Sequence, residues 1–198
     1  MIRTNKTIVF DLSEVIIRGI VGIENELEHM LNSEKSKIIS YFGGDNLRNL
    51  CIGKLSEYEY FQKMIYENKW EIPIPEMKKI VRNNFDIEIK GMPDFVFELS
   101  QSNSLILYSD HAREWISYIL EKHSFMQVFK KKVFSFDQKC LKSDNHAFPG
   151  LLQLLDSKHS ELIFVDDNIV NIQNASRTGI ETIHFNNRIE LEKVLKNK

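Results

Sequence analysis

Thr7-Ile8-Val9-Phe10-Asp11-Leu12-Ser13-Glu14-Val15-Ile16-Ile17 climbs through an apolar run to one acid, breaks for three residues and turns apolar again. Ile8 to Phe10 is short, β-branched and aromatic, and apolar at both alternating positions. That is the pattern of a strand covered on both faces in a parallel sheet. Asp11 then stands at the carboxyl edge of the strand, where the loops leaving parallel strands diverge and open a crevice for ligands. Asp is also a common turn former, so this stretch by itself leaves a plain turn open.

Beyond Ile17 the pattern takes helical period from Glu24 to Phe42, with Gly43-Gly44-Asp45 and Gly53 as punctuation. Ser56-Glu57-Tyr58-Glu59 forms a capping box that starts a helix through Phe61, Met64 and Ile65. Pro75 opens another helix with Met77, Ile80, Val81 and Phe85 on its buried side. Residues 18–90 therefore read as an all-helical insert. From Gly91 onward strands and helices alternate. A helix over 94–100 leads to a strand over 105–108, a helix through Trp115, Ile116, Ile119 and Leu120, and a short strand over 133–136. A helix with Leu151, Leu152, Leu154 and Leu155 precedes a strand over 162–165, a helix closed by Gly179, a strand over 182–185 and a terminal amphipathic helix through Leu191, Val194 and Leu195. This alternation predicts an α/β fold, a doubly wound parallel sheet.

At 198 residues the chain is long enough for one large domain or for a core with a smaller insert. A formal charge of −2 with Lys and Arg spread along the sequence offers no basic block to track a phosphate backbone, so nucleic acid is not expected as a partner. Cys51 and Cys140 lie far apart, with no CxxC and no His at ligand spacing, which argues against a disulfide framework and structural zinc. No apolar run of about 18 residues occurs, so no membrane span is expected. The expected setting is the cytoplasm. Nothing in the sequence sets an oligomeric state, and a monomer is the default.

Three strands end in polar groups that could share one crevice: Asp11, Ser109 and the pair Asp166-Asp167, with Lys142 entering from a loop. Two like charges about 4 Å apart repel by about 4 kcal/mol at an effective dielectric of about 20, so gathered carboxylates call for a cation. Oxygen ligands without His or Cys suit Mg²⁺ that also grips a substrate phosphate. A free oxygen of Asp11 can then attack phosphorus, while Ser109 donates to a phosphoryl oxygen and Lys142 offsets charge. Each part also has a plainer reading, with Ser109 or Asp167 as a helix cap and Lys142 as a solvated surface lysine. The ordered set is the signal.

Phe10-Asp11-Leu12-Ser13, Leu107-Tyr108-Ser109-Asp110, Leu141-Lys142-Ser143-Asp144 and Phe164-Val165-Asp166-Asp167-Asn168 resemble, in order, the four motifs of the haloacid dehalogenase superfamily. The resemblance spans nearly the whole chain. It implies a Rossmann-like core of residues 1–17 and 91–198, with residues 18–90 as a helical cap. Gly53-Lys54-Leu55-Ser56 is similar to a cap segment of the subgroup containing sugar-phosphate phosphatases. Carried onto this sequence, the resemblance makes Asp11 the nucleophile, Ser109 the phosphate-binding hydroxyl and Lys142 the charge-stabilising lysine. It implies Mg²⁺ held by Asp11, the backbone carbonyl of Ser13, Asp166 and Asp167, and a phosphate-binding set of Ser13, Ser109, Asp110 and Lys142.

Two departures stand out. Phosphatases of the superfamily carry a second Asp two residues after the nucleophile as general acid and base, and this chain has Ser13 there. General acid-base help is worth about 10²–10⁴ in rate, so alkyl phosphates are expected to turn over poorly and activated esters better. Glu14 is a poor substitute, because strand neighbours point to opposite faces. Ser143 replaces the usual Pro after the lysine, which loosens that loop. His111 lies just past the second motif, in reach of the crevice, although a lone His at a helix start is more often a capping or surface group.

The first function class is therefore a Mg²⁺-dependent phosphohydrolase acting on a small phosphorylated molecule, attenuated or selective for good leaving groups. The second is a weak or inactive phospholigand-binding protein on the same fold. Metal-free dehalogenation is a distant third, because the paired acids favour a metal. Receiver domains place the acid pair first, which sets them aside.

Overall fold

The computed structural model describes Ile2, Thr4 and residues 6–197. Five parallel strands, β1 (Thr7–Phe10), β2 (Leu105–Ser109), β3 (Lys131–Phe134), β4 (Leu162–Asp166) and β5 (Glu181–His184), form one sheet in the order β3-β2-β1-β4-β5. β1 thus lies at the centre, and its register sets Phe10 beside Leu107 on one side and Val165 on the other. The Asp11 amide continues the ladder by donating to the Val165 carbonyl at 2.9 Å. The carboxyl ends of β1, β2 and β4 are consequently neighbours in space. The doubly wound α/β reading holds.

Alternation along the strands feeds two apolar layers. Ile8, Phe10, Leu105, Leu107, Ile163 and Val165 face α6 (Met92–Ser100), α7 (Arg113–Lys122) and α11 (Arg188–Lys196). Val9, Ile106, Tyr108, Leu162 and Phe164 face α9 (Ala147–Leu155) and α10 (Ile169–Arg177) through Phe148, Leu151, Ile172 and Ala175. β1 is buried on both sides, as a run without polar alternation requires. Leu120, Leu154 and Val194 of these helices are exposed.

Between β1 and α6 the chain forms α1 (Glu24–Leu31), α2 (Lys35–Tyr41), α3 (Gly44–Cys51), α4 (Glu57–Asn68) and α5 (Ile74–Phe85). The capping box at Ser56 is present in both directions, with Ser56 N donating to Glu59 Oε2 at 2.8 Å and Glu59 N to Ser56 Oγ at 3.3 Å. Pro75 and Pro93 both fall in the first turn of their helices, where a missing N–H breaks no bond. No helix among the described residues is long and apolar enough to cross a membrane.

Two local expectations change. β3 covers 131–134 rather than 133–136, and Ser135–Gln138 is a helical turn, α8. Phe134 and Phe136 alternate like strand residues, yet the buried Ser135 hydroxyl donates to the Cys51 carbonyl at 2.7 Å and accepts from the His111 amide at 3.0 Å, which turns the chain there. The Gly43-Gly44 pair read as punctuation opens α3, with Gly44 at φ +66°.

The apolar layer on the α6–α7 side runs without a break into α1–α5 through Leu27, Phe42, Tyr60, Phe61, Met77 and Phe85. Polar ties reinforce the junction. The buried Glu57 carboxylate of α4 receives Arg82 (3.0 Å from Nη2) and Lys78 (2.9 Å) from α5, and Trp115 Nε1 of α7 at 2.8 Å. Removing one partner of a fully buried pair costs about 3–5 kcal/mol, but Lys78 and Arg82 can turn toward water. Glu57→Ala is therefore expected to cost about 2–3 kcal/mol and to lower the melting temperature by about 5–10 °C. A change under about 2 °C in a thermal melt would show that the tie carries no stability.

Candidate active site

The edge formed by β1, β2 and β4 gathers Asp11, Ser109 and Asp166 as strand-end residues, with Asp167 one step beyond. Carboxylate oxygens of Asp11, Asp166 and Asp167 lie within 4.8 Å of one another. Lys142 is 1% exposed, and its ammonium sits 2.6 Å from Asp11 Oδ1 and 2.6 Å from Asp166 Oδ2. The structure thus brings together the nucleophile, lysine and acid-pair positions expected from sequence. It also corrects the electrostatic premise. A divalent ion is not alone in holding these acids, because Lys142 bridges two of them.

Lys142 does not complete the balance. The charge of Asp110 also acts on the Lys142 ammonium, as do Asp11 and Asp166, and Lys142 acts on Asp167, so one ammonium faces four acids. Burial pushes the Asp11 carboxyl up to about 8, aided by Asp166 and Asp167 and opposed by Lys142. Burial pulls the Lys142 ammonium down, but Asp11, Asp166 and Asp110 outweigh it and hold it above the usual lysine value. Burial, then Asp166, raises Asp167.

The carboxylates are not equivalent. Asp166 is saturated: Oδ1 accepts from the Asn168 amide (2.8 Å) and Asn171 Nδ2 (3.2 Å), and Oδ2 from Asn171 Nδ2 (3.1 Å) as well as Lys142. No hydrogen bond from another residue reaches the Asp167 carboxylate, and beyond Lys142 none reaches that of Asp11, among the described residues. The Ser13 carbonyl accepts no backbone hydrogen bond among them either. Asp11, Asp167 and the Ser13 carbonyl therefore keep oxygens available to a hard cation, while Asp166, expected among the metal ligands, has its oxygens taken and anchors Lys142 behind them.

Ser109 is fully buried and its Oγ has no hydrogen-bond partner. An orphaned buried hydroxyl needs an explanation, and this one stands at the carboxyl end of β2 just behind Asp110 and His111 of the cavity lining. It is not a helix cap, because α7 begins at Arg113 with Ala112 before it. Asp110, expected in the phosphate set, turns both oxygens to the Lys142 amide at 3.1 and 3.0 Å. Its carboxylate shapes the lysine loop and, being anionic, repels phosphate, which corrects its role as a side-chain phosphate ligand. Burial raises it to about 6.

The loop carrying Lys142 is also less loose than Ser143 suggested. Asn174 Nδ2 donates to the carbonyls of Lys142 (3.2 Å) and Ser143 (2.7 Å), Asp144 Oδ2 accepts from the Leu141 amide (2.9 Å), and Arg48 of α3 grips Asp144 in a fork at 3.0 and 2.8 Å. These bonds do what a proline ring would do. Asn171 and Asn174 had no part in the sequence reading. The signal was two asparagines three apart on the face of α10 that also carries Ile172 and Ala175.

Glu14 adopts φ +58°, an uncommon left-handed conformation for a residue with a side chain. Its Oε1 accepts from the Gly19 amide at 2.8 Å, and burial raises its carboxyl. A cavity of about 230 Å³ opens over the site, lined among others by Asp11, Ser13, Glu14, Lys142, Asp167 and His111. His111 lies at the crevice, as its place after the second motif allows, and it is buried in the cavity wall rather than a cap or surface group.

No curated protein matches the chain. Solved structures do. A HAD family enzyme, bt-2542 from Bacteroides thetaiotaomicron, in complex with magnesium and inorganic phosphate, superposes with a TM-score of 0.72 at 17% identity, covering 92% of this chain and 94% of that one. A predicted HAD-like family hydrolase from Porphyromonas gingivalis gives 0.74 at 17% identity, covering 100% of both chains. The HAD-hydrolase YfnB from Bacillus subtilis, bound to magnesium, gives 0.70 at 17% identity, covering 96% and 98%. At such identities the likeness establishes the fold. The family itself is set by sequence, since the model of the haloacid dehalogenase-like hydrolases matches residues 8–185, and this chain belongs to that family.

Proposed function

We propose that the chain is a Mg²⁺-dependent phosphohydrolase acting on a small phosphorylated metabolite through an aspartyl-phosphate on Asp11, and that it favours good leaving groups because Ser13 supplies no general acid. The observation that carries this reading is the Asp11–Lys142–Asp166 bridge beside the orphaned Ser109 hydroxyl. The presence of magnesium and inorganic phosphate in the bt-2542 complex supports it.

Asp11, Asp167 and the Ser13 carbonyl would hold the ion, with Asp166 behind them. The bound ion supplies positive charge that draws the substrate phosphate to Asp11 and lowers the cost of ionising that carboxyl. Ser109 Oγ donates to a phosphoryl oxygen, and Lys142 offsets charge on Asp11 and the phosphate. An Asp11 oxygen attacks phosphorus, the P–O bond to the organic group breaks, and that group leaves with the bonding pair. Water then attacks the phosphorus of the aspartyl-phosphate, which frees inorganic phosphate and restores the carboxylate. Ser13 cannot protonate a departing alkoxide near neutral pH, so phenolates and carboxylates leave best.

In this reading residues 18–90 are a cap domain over a core of residues 1–17 and 91–198. The protein acts in the cytoplasm as a monomer, with no nucleic-acid or membrane partner. Ser13 also favours a second reading, a phospholigand-binding protein without turnover.

The test is hydrolysis of an aryl phosphate and an alkyl phosphate with Mg²⁺ and with chelator. The aryl ester is expected to turn over only with Mg²⁺, and the alkyl ester about 10²-fold or more slower. Equal rates on the two would overturn the role given to Ser13. No turnover, with a melting-temperature rise in phosphate and Mg²⁺, would favour the binding reading. Halide release from a haloacid in chelator would favour dehalogenation.

A further inference from the structure

One wall of the cavity is not used by the phosphoryl chemistry. Ile20, Leu47, Phe85 and Trp115 make it apolar and aromatic, and His111 stands among them at 2% exposure. Its ring meets Phe85 at 5.3 Å and 65°, and Trp115 at 5.5 Å and 83°, both edge to face. Its backbone is pinned by the bond to Ser135 Oγ. Trp115 is in turn held by Glu57, so the wall is preformed.

No hydrogen bond reaches either imidazole nitrogen among the described residues, and Nδ1 is fully buried. Native proteins leave few buried polar atoms unpaired, and each such atom needs an explanation. Burial pushes the ring down to about 3, so near neutral pH it is an uncharged imidazole with one donor and one acceptor nitrogen.

Charge and size narrow what this wall can meet. Among the described residues lining the cavity Lys142 is the one cation, and it is already shared by Asp11 and Asp166. Glu14, Asp110 and Asp167 add acids around it. A second anionic group on a ligand would find carboxylates and no counter-charge. The volume, about 230 Å³, falls below the range of about 300–1,000 Å³ typical of sites for drug-sized ligands. A phosphate with a small organic group fits that space, and a nucleotide would extend out of it into solvent.

Resting on the phosphohydrolase reading, we propose that His111 is the specificity-determining residue of a leaving-group slot, which takes a small uncharged group with an apolar face and one hydroxyl, on a monophosphate with no second acid. The hydroxyl bonds the imidazole at Nε2, since Nδ1 is closed off from the cavity, and the apolar face lies against Phe85 and Trp115.

The test compares phenyl, 3-hydroxyphenyl and 3-carboxyphenyl phosphate, whose phenols have similar acidity, by kcat/KM with Mg²⁺. The native chain is expected to prefer the hydroxyl ester over the phenyl ester about tenfold, the worth of one neutral hydrogen bond, and to disfavour the carboxyl ester at least about tenfold. His111→Phe keeps the ring contacts and is expected to lose the first preference while keeping the second. His111→Gln keeps a donor and an acceptor and is expected to retain part of the first, which also serves if the Phe variant folds poorly. A preference that survives in His111→Phe, or a carboxyl ester cleaved as well as the phenyl ester, overturns the slot. If no ester is cleaved, the phosphohydrolase reading falls, and the slot is then read from the melting-temperature shifts given by the same three esters. The same order, lost in His111→Phe, upholds it, and equal shifts overturn it.

Discussion

Asp11→Asn is expected to lower Mg²⁺-dependent hydrolysis of an activated aryl phosphate by about 10⁴-fold or more while leaving the fold intact, since losing the nucleophile of a covalent mechanism leaves only binding and electrostatic help. The amide has no oxygen basic enough to attack phosphorus. It keeps a carbonyl that can accept from Lys142, whose other partner, Asp166 at 2.6 Å, is untouched. The ammonium therefore stays paired. The substitution also removes a carboxylate that burial and two neighbouring acids disfavour. In chelator the variant should melt at or above the native temperature, because a buried neutral amide costs less than a crowded buried charge. Trapping with labelled substrate gives a second readout, a phosphoprotein in the native chain and none in Asp11→Asn. A variant that keeps more than about a tenth of the rate would route the phosphoryl group through another residue.

Much of this site was legible because each functional residue closes an apolar run. Phe10, Tyr108 and Val165 are the last apolar strand residues, and Asp11, Ser109 and Asp166 follow them directly. In a parallel sheet those ends share one edge, so strand reading alone brings the residues together. The supporting groups left no such trace. Asn174 and Glu57 take their meaning from partners distant in sequence, Lys142 and Trp115 among them, and no local pattern marks such a pair. Asp110 misled for the opposite reason. Its place beside Ser109 suggested a phosphate contact, while the amide of Lys142, 32 residues away, claims both its oxygens. His111 was undervalued because its neighbours Phe85 and Trp115 come from the inserted helices and from α7, and only the folded chain closes them around the ring.

Ser13→Asp is expected to raise turnover of an alkyl phosphate by about 10²-fold or more, with little change on an aryl phosphate, since a positioned acid-base group is worth about 10²–10⁴ only where the leaving group needs a proton. The backbone leaves little slack at this position. A side chain on Gly19 would put its Cβ 2.9 Å from Ser13 Cβ, so residue 13 packs on bare backbone, and only glycine at 19 leaves it room. The new carboxylate joins an already acidic site, so in chelator Ser13→Asp should melt below the native chain, with Mg²⁺ recovering most of the loss. Glu14 supplies the competing account. It lines the same cavity with a raised carboxyl, although Oε1 is held by the Gly19 amide. If Glu14 already donates the proton, Ser13→Asp gains nothing, and Glu14→Gln removes alkyl-phosphate turnover instead. The alkyl-to-aryl ratio in these two variants, each folded by its thermal melt, decides between a site that lost its acid at position 13 and one that moved it one residue along.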